Sequence, residues 1–169
     1  MVTVSAQTSV SSSPDDARAA LGRRESYLCF PGLRPAAGGN GRPAARLAHD
    51  IDLPLIAPQE QTATLSLGRA GPRGRRFTVR GALVSIAGRW RLEPLATGVR
   101  LHLTLDCEIA PGVKAQAVNE LRSRSPLPIR TDADAILSLA VDEFLAARLA
   151  EHAAAYCDRV RAQLDRSAS

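Results

Sequence analysis

The strand-like segment Val99–Ile109 constrains this chain more than any other. Val99, Leu101, Leu103, Leu105, Cys107 and Ile109 alternate without exception with Arg100, His102, Thr104, Asp106 and Glu108. Such alternation gives a strand one dry face and one wet face, the pattern of an antiparallel sheet covered on one side. The same period of two runs through Val2–Val10, Ala45–Leu53 and Gln59–Leu67, and through Arg76–Leu92, which is either two strands or one long strand bent near Gly81. A sheet that is apolar on one face needs a cover. The obvious cover is the last element, a stripe of Ile136, Leu137, Ala140, Val141, Phe144, Leu145, Leu149, Ala153, Tyr156, Val160 and Leu164. Its spacings of three and four predict one amphipathic helix from about Thr131 to about Leu164. At 1.5 Å per residue that helix reaches about 50 Å, enough to cross the whole sheet.

Shorter elements fill the gaps. Ser13 is a good N-cap, Pro14 suits the first helical position, and Asp15 and Asp16 suit the positive end of the dipole, so a helix is expected over Pro14–Leu21. A second short helix or turn, Glu25–Phe30, ends at Pro31-Gly32, and residues 35–43 read as a loop. Residues 113–124 fit a short amphipathic helix, followed by a Pro-containing connector over 125–130.

The 169 residues suit a single domain spanning 1–169. Lys114 is the only lysine among 22 basic residues, and the net charge is +5. The arginines are scattered and lack interleaved aromatics, which argues against nucleic-acid binding. The densest group (Arg69, Arg73, Arg75 and Arg76) lies among Gly68, Gly71, Pro72 and Gly74 and reads as a solvated hairpin loop. Three widely spaced cysteines, Cys29, Cys107 and Cys157, argue against a disulfide framework or a structural zinc site. No signal-peptide pattern and no run of about 18 apolar residues is present, so the expectation is a cytoplasmic chain with no membrane span. There is no nucleophile elbow, no phosphate-binding loop and no dinucleotide fingerprint, and no cofactor or metal is expected.

The order of these parts resembles the START-like (SRPBCC) superfamily, whose fold is the helix grip. The resemblance rests on Thr3–Leu21 followed by Glu25-Ser26-Tyr27-Leu28 and Phe30-Pro31-Gly32-Leu33. It continues in Gly88-Arg89-Trp90-Arg91-Leu92-Glu93-Pro94 with Thr97-Gly98-Val99-Arg100-Leu101, and ends in the terminal helix, so it covers essentially the whole chain. It implies an α+β fold: a curved antiparallel sheet of six to seven strands wrapped around a long C-terminal helix, with two short helices after the first strand. It also implies an apolar cavity between sheet and helix. Members bind or transfer lipids and sterols, hold other hydrophobic molecules, or cyclise polyketides. Cys107-Glu108-Ile109-Ala110-Pro111-Gly112 loosely resembles the strand end and turn of the polyketide aromatase/cyclases. Those enzymes usually line the cavity with several aromatics and buried arginines, whereas this chain has one Trp, two Tyr and three Phe.

On the alternation, the cavity would be lined from the sheet by Leu47, His49, Phe77, Val79, Ile86, Trp90, Leu101, Leu103 and Leu105. The helix would add Val141, Phe144, Leu145, His152 and Tyr156. His49 is either an acid or base near neutral pH or a core histidine bonded to a neighbour. His152 and Tyr156, four apart on one helix face, either present a polar pair to the cavity or pack with their tips toward solvent. Trp90 either stacks on a ligand ring or is simply core. Arg80 and Arg91 belong to the outward set, unless a bulge near Gly81 or Gly88 turns one inward as an anion anchor with Glu143 as a possible partner. Three readings follow. The first is a carrier of a hydrophobic small molecule (lipid, isoprenoid or polyketide-like) with an access gate at 54–58 and 111–130 together with the end of the final helix. The second is a cyclase/dehydrase-type enzyme using His49, His152, Tyr156 or a cavity arginine for proton transfer. The third is an interaction module with a filled core. Oligomeric state is left open by the sequence.

Overall fold

β1 (Val2–Val10) lies on the edge of a seven-stranded antiparallel sheet and is zipped to β7 (Gly98–Ile109) in a register running from Val2 opposite Cys107 to Val10 opposite Val99. A computed structural model describes residues 1–36, 46–51, 56–124 and 133–167. The other strands are β2 (Leu33–Pro35), β3 (Arg46–Ile51), β4 (Gln59–Leu67), β5 (Gly74–Gly81) and β6 (Val84–Leu95), and the sheet order is β1-β7-β6-β5-β4-β3-β2. From β2 onward each strand pairs with its successor, and β1 closes on the last, so the sheet is a meander with its first strand carried to the far edge. β5 and β6 are two strands rather than one bent one, with Val79 opposite Ile86. β2 ends at Pro35, the first residue of the expected loop over 35–43: Leu33 finds a partner in His49, and Pro35 sits on the edge strand, where its missing N–H costs no ladder bond.

Between β1 and β2 lie α1 (Pro14–Gly22) and α2 (Glu25–Leu28). The Asp16 amide donates to Ser13 Oγ at 3.1 Å, the cap its sequence foretells. Tyr27 of α2 is buried, and its hydroxyl donates to the Leu21 carbonyl at 2.8 Å, satisfying one of the carbonyls left free at the end of α1. After β7 come α3 (Pro111–Arg124) and α4 (Ala133–Ser167), the 35-residue helix that the sheet grips. This is the α+β helix-grip arrangement. None of the described helices is long and apolar enough to cross a membrane. The stretches 37–45, 52–55, 125–132 and 168–169 lie outside the described residues. They take with them the expected strand ends at Ala45 and Leu53, the connector after α3 and the cap at Thr131 or Asp132.

The inward face of the sheet follows the alternation. Leu47, Val79, Trp90, Leu101, Leu103 and Leu105 are almost wholly buried, each stabilising the fold by about 1.5–3 kcal/mol through apolar burial. Two clusters form. The main one joins the sheet, α1, α2 and the second half of α4 through Leu149, Ala153, Tyr156, Val160 and Leu164. A smaller one joins α3 to the first half of α4 through Ile56, Val113, Ala117, Val141 and Leu145. The expected stripe on α4 needs one correction. Phe144 is 45% exposed and Ile136 66% exposed, so neither belongs to the covered face. At about 100° per residue, Phe144 lies roughly 100° around the helix from Leu145, the centre of the face that Val141, Leu145 and Leu149 share. A stripe allowed to be wide in sequence is narrower in the fold.

Candidate functional site

α4 carries the two core clusters on successive turns, and the boundary between them falls between Leu145 of the smaller cluster and Leu149 of the main one. A pocket of about 40 Å³ lies there, lined by Phe30, His49, Ile51, Ile86, Leu145 and Leu149, with Asp50, Val84, Cys107, Arg148 and His152 completing the wall. That volume holds about one water molecule.

His49 comes to this pocket because Leu47, His49 and Ile51 share the inward face of β3. Its orientation is fixed by Gln61, which faces it directly from β4. Gln61 Oε1 accepts from the Leu83 amide at 2.8 Å and the Val84 amide at 3.2 Å, so its other atom must be the amide nitrogen. That nitrogen donates to the Val84 carbonyl at 2.8 Å and lies 3.1 Å from His49 Nδ1. Nδ1 is therefore the acceptor, and the neutral ring carries its proton on Nε2. The His49 pKa is lowered to about 4, chiefly by burial and also by the charge on His152, with Asp50 acting in the opposite direction. At neutral pH His49 is an uncharged imidazole with an N–H to offer. Burial likewise pushes the Cys107 thiol up to about 11, so it is a thiol, not a nucleophilic thiolate.

Behind the pocket stands an aromatic cluster. Phe30 meets the rings of His49, His152 and Tyr156 edge-on at centroid distances of 6.5, 6.1 and 5.3 Å. Tyr156 in turn meets Phe77 at 6.3 Å and Trp90 at 5.3 Å, and Tyr27 meets Phe77 at 4.9 Å. Of the chain's six aromatic residues only Phe144 stays out, so a composition poor in aromatics conceals a local concentration of them. Burial holds the Tyr156 hydroxyl well above its usual range and therefore protonated; Trp90 acts the other way, yet neither Tyr156 Oη nor Trp90 Nε1 meets a partner in hydrogen-bond geometry.

The fourteen side chains expected to line a cavity thus divide. His49, Ile86, Leu145 and His152 line the pocket. Leu47, Phe77, Val79, Trp90, Leu101, Leu103, Leu105 and Tyr156 are packed into the main cluster, with at most 2% of each exposed. Val141 belongs to the smaller cluster, and Phe144 faces outward. Arg80 and Arg91 are exposed on the outer face, with no bulge at Gly81 or Gly88 to turn them. Glu143 is exposed too, and His102 is on the outer face with its Nε2 2.8 Å from Glu93. Phe30, Asp50, Ile51, Val84, Cys107, Arg148 and Leu149 complete the pocket, and Gln61 supports it, beyond the residues expected from the alternation. Gln61 was within reach, since it shares the parity of Ala63 and Leu65 on β4. Phe30 was not, because its role depends on where α2 ends. Among the described residues no three His, Cys, Asp or Glu side chains converge as a metal site requires.

No protein-family model and no curated protein matches the sequence. Solved structures do match in shape. The chain is similar to the Zhui aromatase/cyclase from Streptomyces sp. R1128, with TM-score 0.60, 16% identity, and coverage of 99% of this chain and 95% of that one. It is similar to a START superfamily protein from Mycobacterium smegmatis, with TM-score 0.55, 17% identity and 98% of both chains covered. It also matches the di-domain aromatase/cyclase StfQ of the steffimycin biosynthetic pathway at TM-score 0.62 and 13% identity, spanning 99% of this chain but 51% of that longer one. At such identities the likeness is one of fold, and the fold is START-like.

Proposed function

We propose that this chain binds a hydrophobic small molecule between its sheet and α4, at the pocket beside His49 and His152. The observation that carries the reading is a pair of imidazoles set among the apolar side chains of Phe30, Ile51, Ile86, Leu145 and Leu149. Apolar walls supply affinity, and a few convergent polar groups orient a ligand. His49, held neutral with Nε2–H outward from its bond to Gln61, is suited to donate to a carbonyl or hydroxyl oxygen. The START-like fold, shared with a START protein and with aromatase/cyclases, supports this reading at the level of architecture. With about 40 Å³ of space, a lipid, isoprenoid or polyketide-like ligand enters only if the smaller cluster parts from the sheet. α3 and the first turns of α4 are then the lid.

A second reading, a cyclase/dehydrase-type enzyme, is favoured by the same two imidazoles, because general acid and base work needs two titratable groups on one substrate. The deciding experiment is native mass spectrometry of freshly purified protein, with organic extraction of anything bound, followed by titration with an apolar fluorescent probe. A stoichiometric apolar compound, or saturable probe uptake that Leu145→Trp abolishes, is the expected result. An empty protein that takes up no probe overturns the binding reading and leaves a filled core and an interaction role. Turnover of an extracted compound, lost in His152→Ala while binding persists, selects the enzyme.

A further inference from the structure

The outer face of the sheet carries a second concave feature, unconnected with the pocket under α4. A groove of about 550 Å³ is lined by Ser5, Ala6, Gln7, Arg89, Arg91, His102, Leu103 and Thr104. The register explains its shape. Ser5, Thr104 and Arg89 form one row across β1, β7 and β6, and Gln7, His102 and Arg91 form the next. Residues two apart on a strand are about 7 Å apart, so two polar walls face each other over the backbone of Ala6 and Leu103, whose side chains point to the other face. Each wall ends in a guanidinium. No carboxylate lines the groove.

The positive charge continues sideways. Arg76 of β5 stands directly opposite Arg89, and like charges so placed repel. Among the described residues neither forms an ion pair. Arg89 is shared with an adjoining groove of about 320 Å³, lined by the 68–76 turn with Arg69, Arg73 and Arg76 at its surface and again without a carboxylate. That turn is tied down: Arg75 donates to the Gly68 and Gly22 carbonyls at 3.1 and 3.0 Å, and Arg18 donates to the Pro72 carbonyl at 3.2 Å. Of the acids on the neighbouring rows of this face, Glu93 is engaged by His102 and Arg100, and Asp106 accepts from Thr3 Oγ1 at 2.7 Å.

We infer that this face is a binding site for a phosphate-bearing ligand, with Arg89 and Arg91 as its anchors and Arg76 extending it toward a second phosphate. Guanidiniums suit phosphate oxygens in a fork geometry. The hydroxyls of Ser5 and Thr104 in the Arg89 row and the amide of Gln7 in the Arg91 row supply neutral donors, which a tetrahedral anion can use in directions a planar carboxylate does not reach. A bound anion also relieves the Arg76–Arg89 repulsion. Neither lining includes an exposed aromatic ring, so nothing here stacks a base, and recognition is of the phosphate itself. The phosphate is borne either by a soluble ester or by a lipid headgroup.

The test uses the full chain at physiological ionic strength. Calorimetric titration with inorganic phosphate and pyrophosphate, with citrate as a non-phosphate polyanion, measures the first source. Flotation with phosphatidylcholine vesicles, with and without phosphatidic acid, measures the second. Pyrophosphate is expected to bind more tightly than phosphate and citrate. Loss of one charge-assisted contact corresponds to roughly a ten-fold weakening, expected for Arg89→Gln and for Arg91→Gln. Arg161→Gln, at an exposed position on α4, is expected to leave binding unchanged. Binding of either source that falls in the Arg89 and Arg91 variants supports the site and names the source. No binding of any probe, equal binding of citrate, or binding indifferent to Arg89→Gln and Arg91→Gln overturns it. Both arginines are exposed, so the variants are expected to fold, and circular dichroism checks it.

Discussion

Protonating His49 should unfold this protein by degrees, and the size of the effect follows from its surroundings. The folded pKa is about 4, against an ordinary value of 6.5. Between those values the unfolded chain binds a proton at residue 49 that the folded chain refuses. Stability therefore rises with pH across that window and falls as the solution is acidified through it. The two pKa values give a loss of about 2 kcal/mol between pH 7 and pH 5, approaching roughly 3 kcal/mol near pH 4. Part of the resistance is specific. A proton on Nδ1 would face the Gln61 amide nitrogen, itself a donor held in place by its bond to the Val84 carbonyl. Urea unfolding followed by the fluorescence of the single, fully buried Trp90 measures this directly. Carboxylates titrate over part of the same range, so the informative quantity is the difference between the native chain and His49→Gln. The native chain should lose about 2 kcal/mol more than the variant between pH 7 and pH 5. Parallel curves for the two would show that His49 is not buried as described, and the argument for a neutral donor in the pocket would fail with it.

Other perturbations have equally definite expectations. Gln61→Leu removes partners from the Leu83 and Val84 amides, the Val84 carbonyl and His49 Nδ1 together; a loss of about 2–3 kcal/mol in chemical denaturation is expected, because buried groups left without partners retain their full desolvation cost. Gly88→Ala would put a methyl 2.1 Å from Phe77 Cζ, on a ring wedged between Tyr27 and Tyr156; a melting temperature lowered by the equivalent of about 1–3 kcal/mol is expected, and an unchanged one would mean that the aromatic cluster can slide.

The fold was legible where a period could be counted. Strict alternation in Val99–Ile109 and Gln59–Leu67 and the terminal stripe reappear as β7, β4 and α4, because each records a local choice between a wet face and a dry one, and the Ser13-Pro14 cap reappears at α1, because the Ser13 hydroxyl satisfies a helical N–H left free by the backbone. β2 was not legible: three residues carry no period, and the strand exists only because β3 offers Leu33 a partner. The pocket was legible in part. Parity placed His49 on the inward face, but parity cannot say whether inward residues enclose a space or fill it. Leu103 and Trp90 fill it, and the gap that remains depends on how α4 straddles two clusters, a long-range fact. Phe144 failed for a related reason: helical spacing gives a direction, and only the partner surface decides how wide the covered arc is.

α4 passes through both clusters as one rod, and from Ala133 to Ser167 it contains neither proline nor glycine. Sharp kinks in helices arise mostly at such residues or at local bulges, so this helix has no built-in joint at the pocket. It cannot fold back at Leu149 to admit a guest. Space beside His49 must come instead from unwinding at the helix's own beginning, where Ile136 and Leu139 already stand in solvent, or from tilting the entire rod and disturbing Tyr156 and Leu164 at its far end. The first route is local and the second is felt across the whole core. In this molecule, then, the width of the doorway and the firmness of the building are set by the same beam.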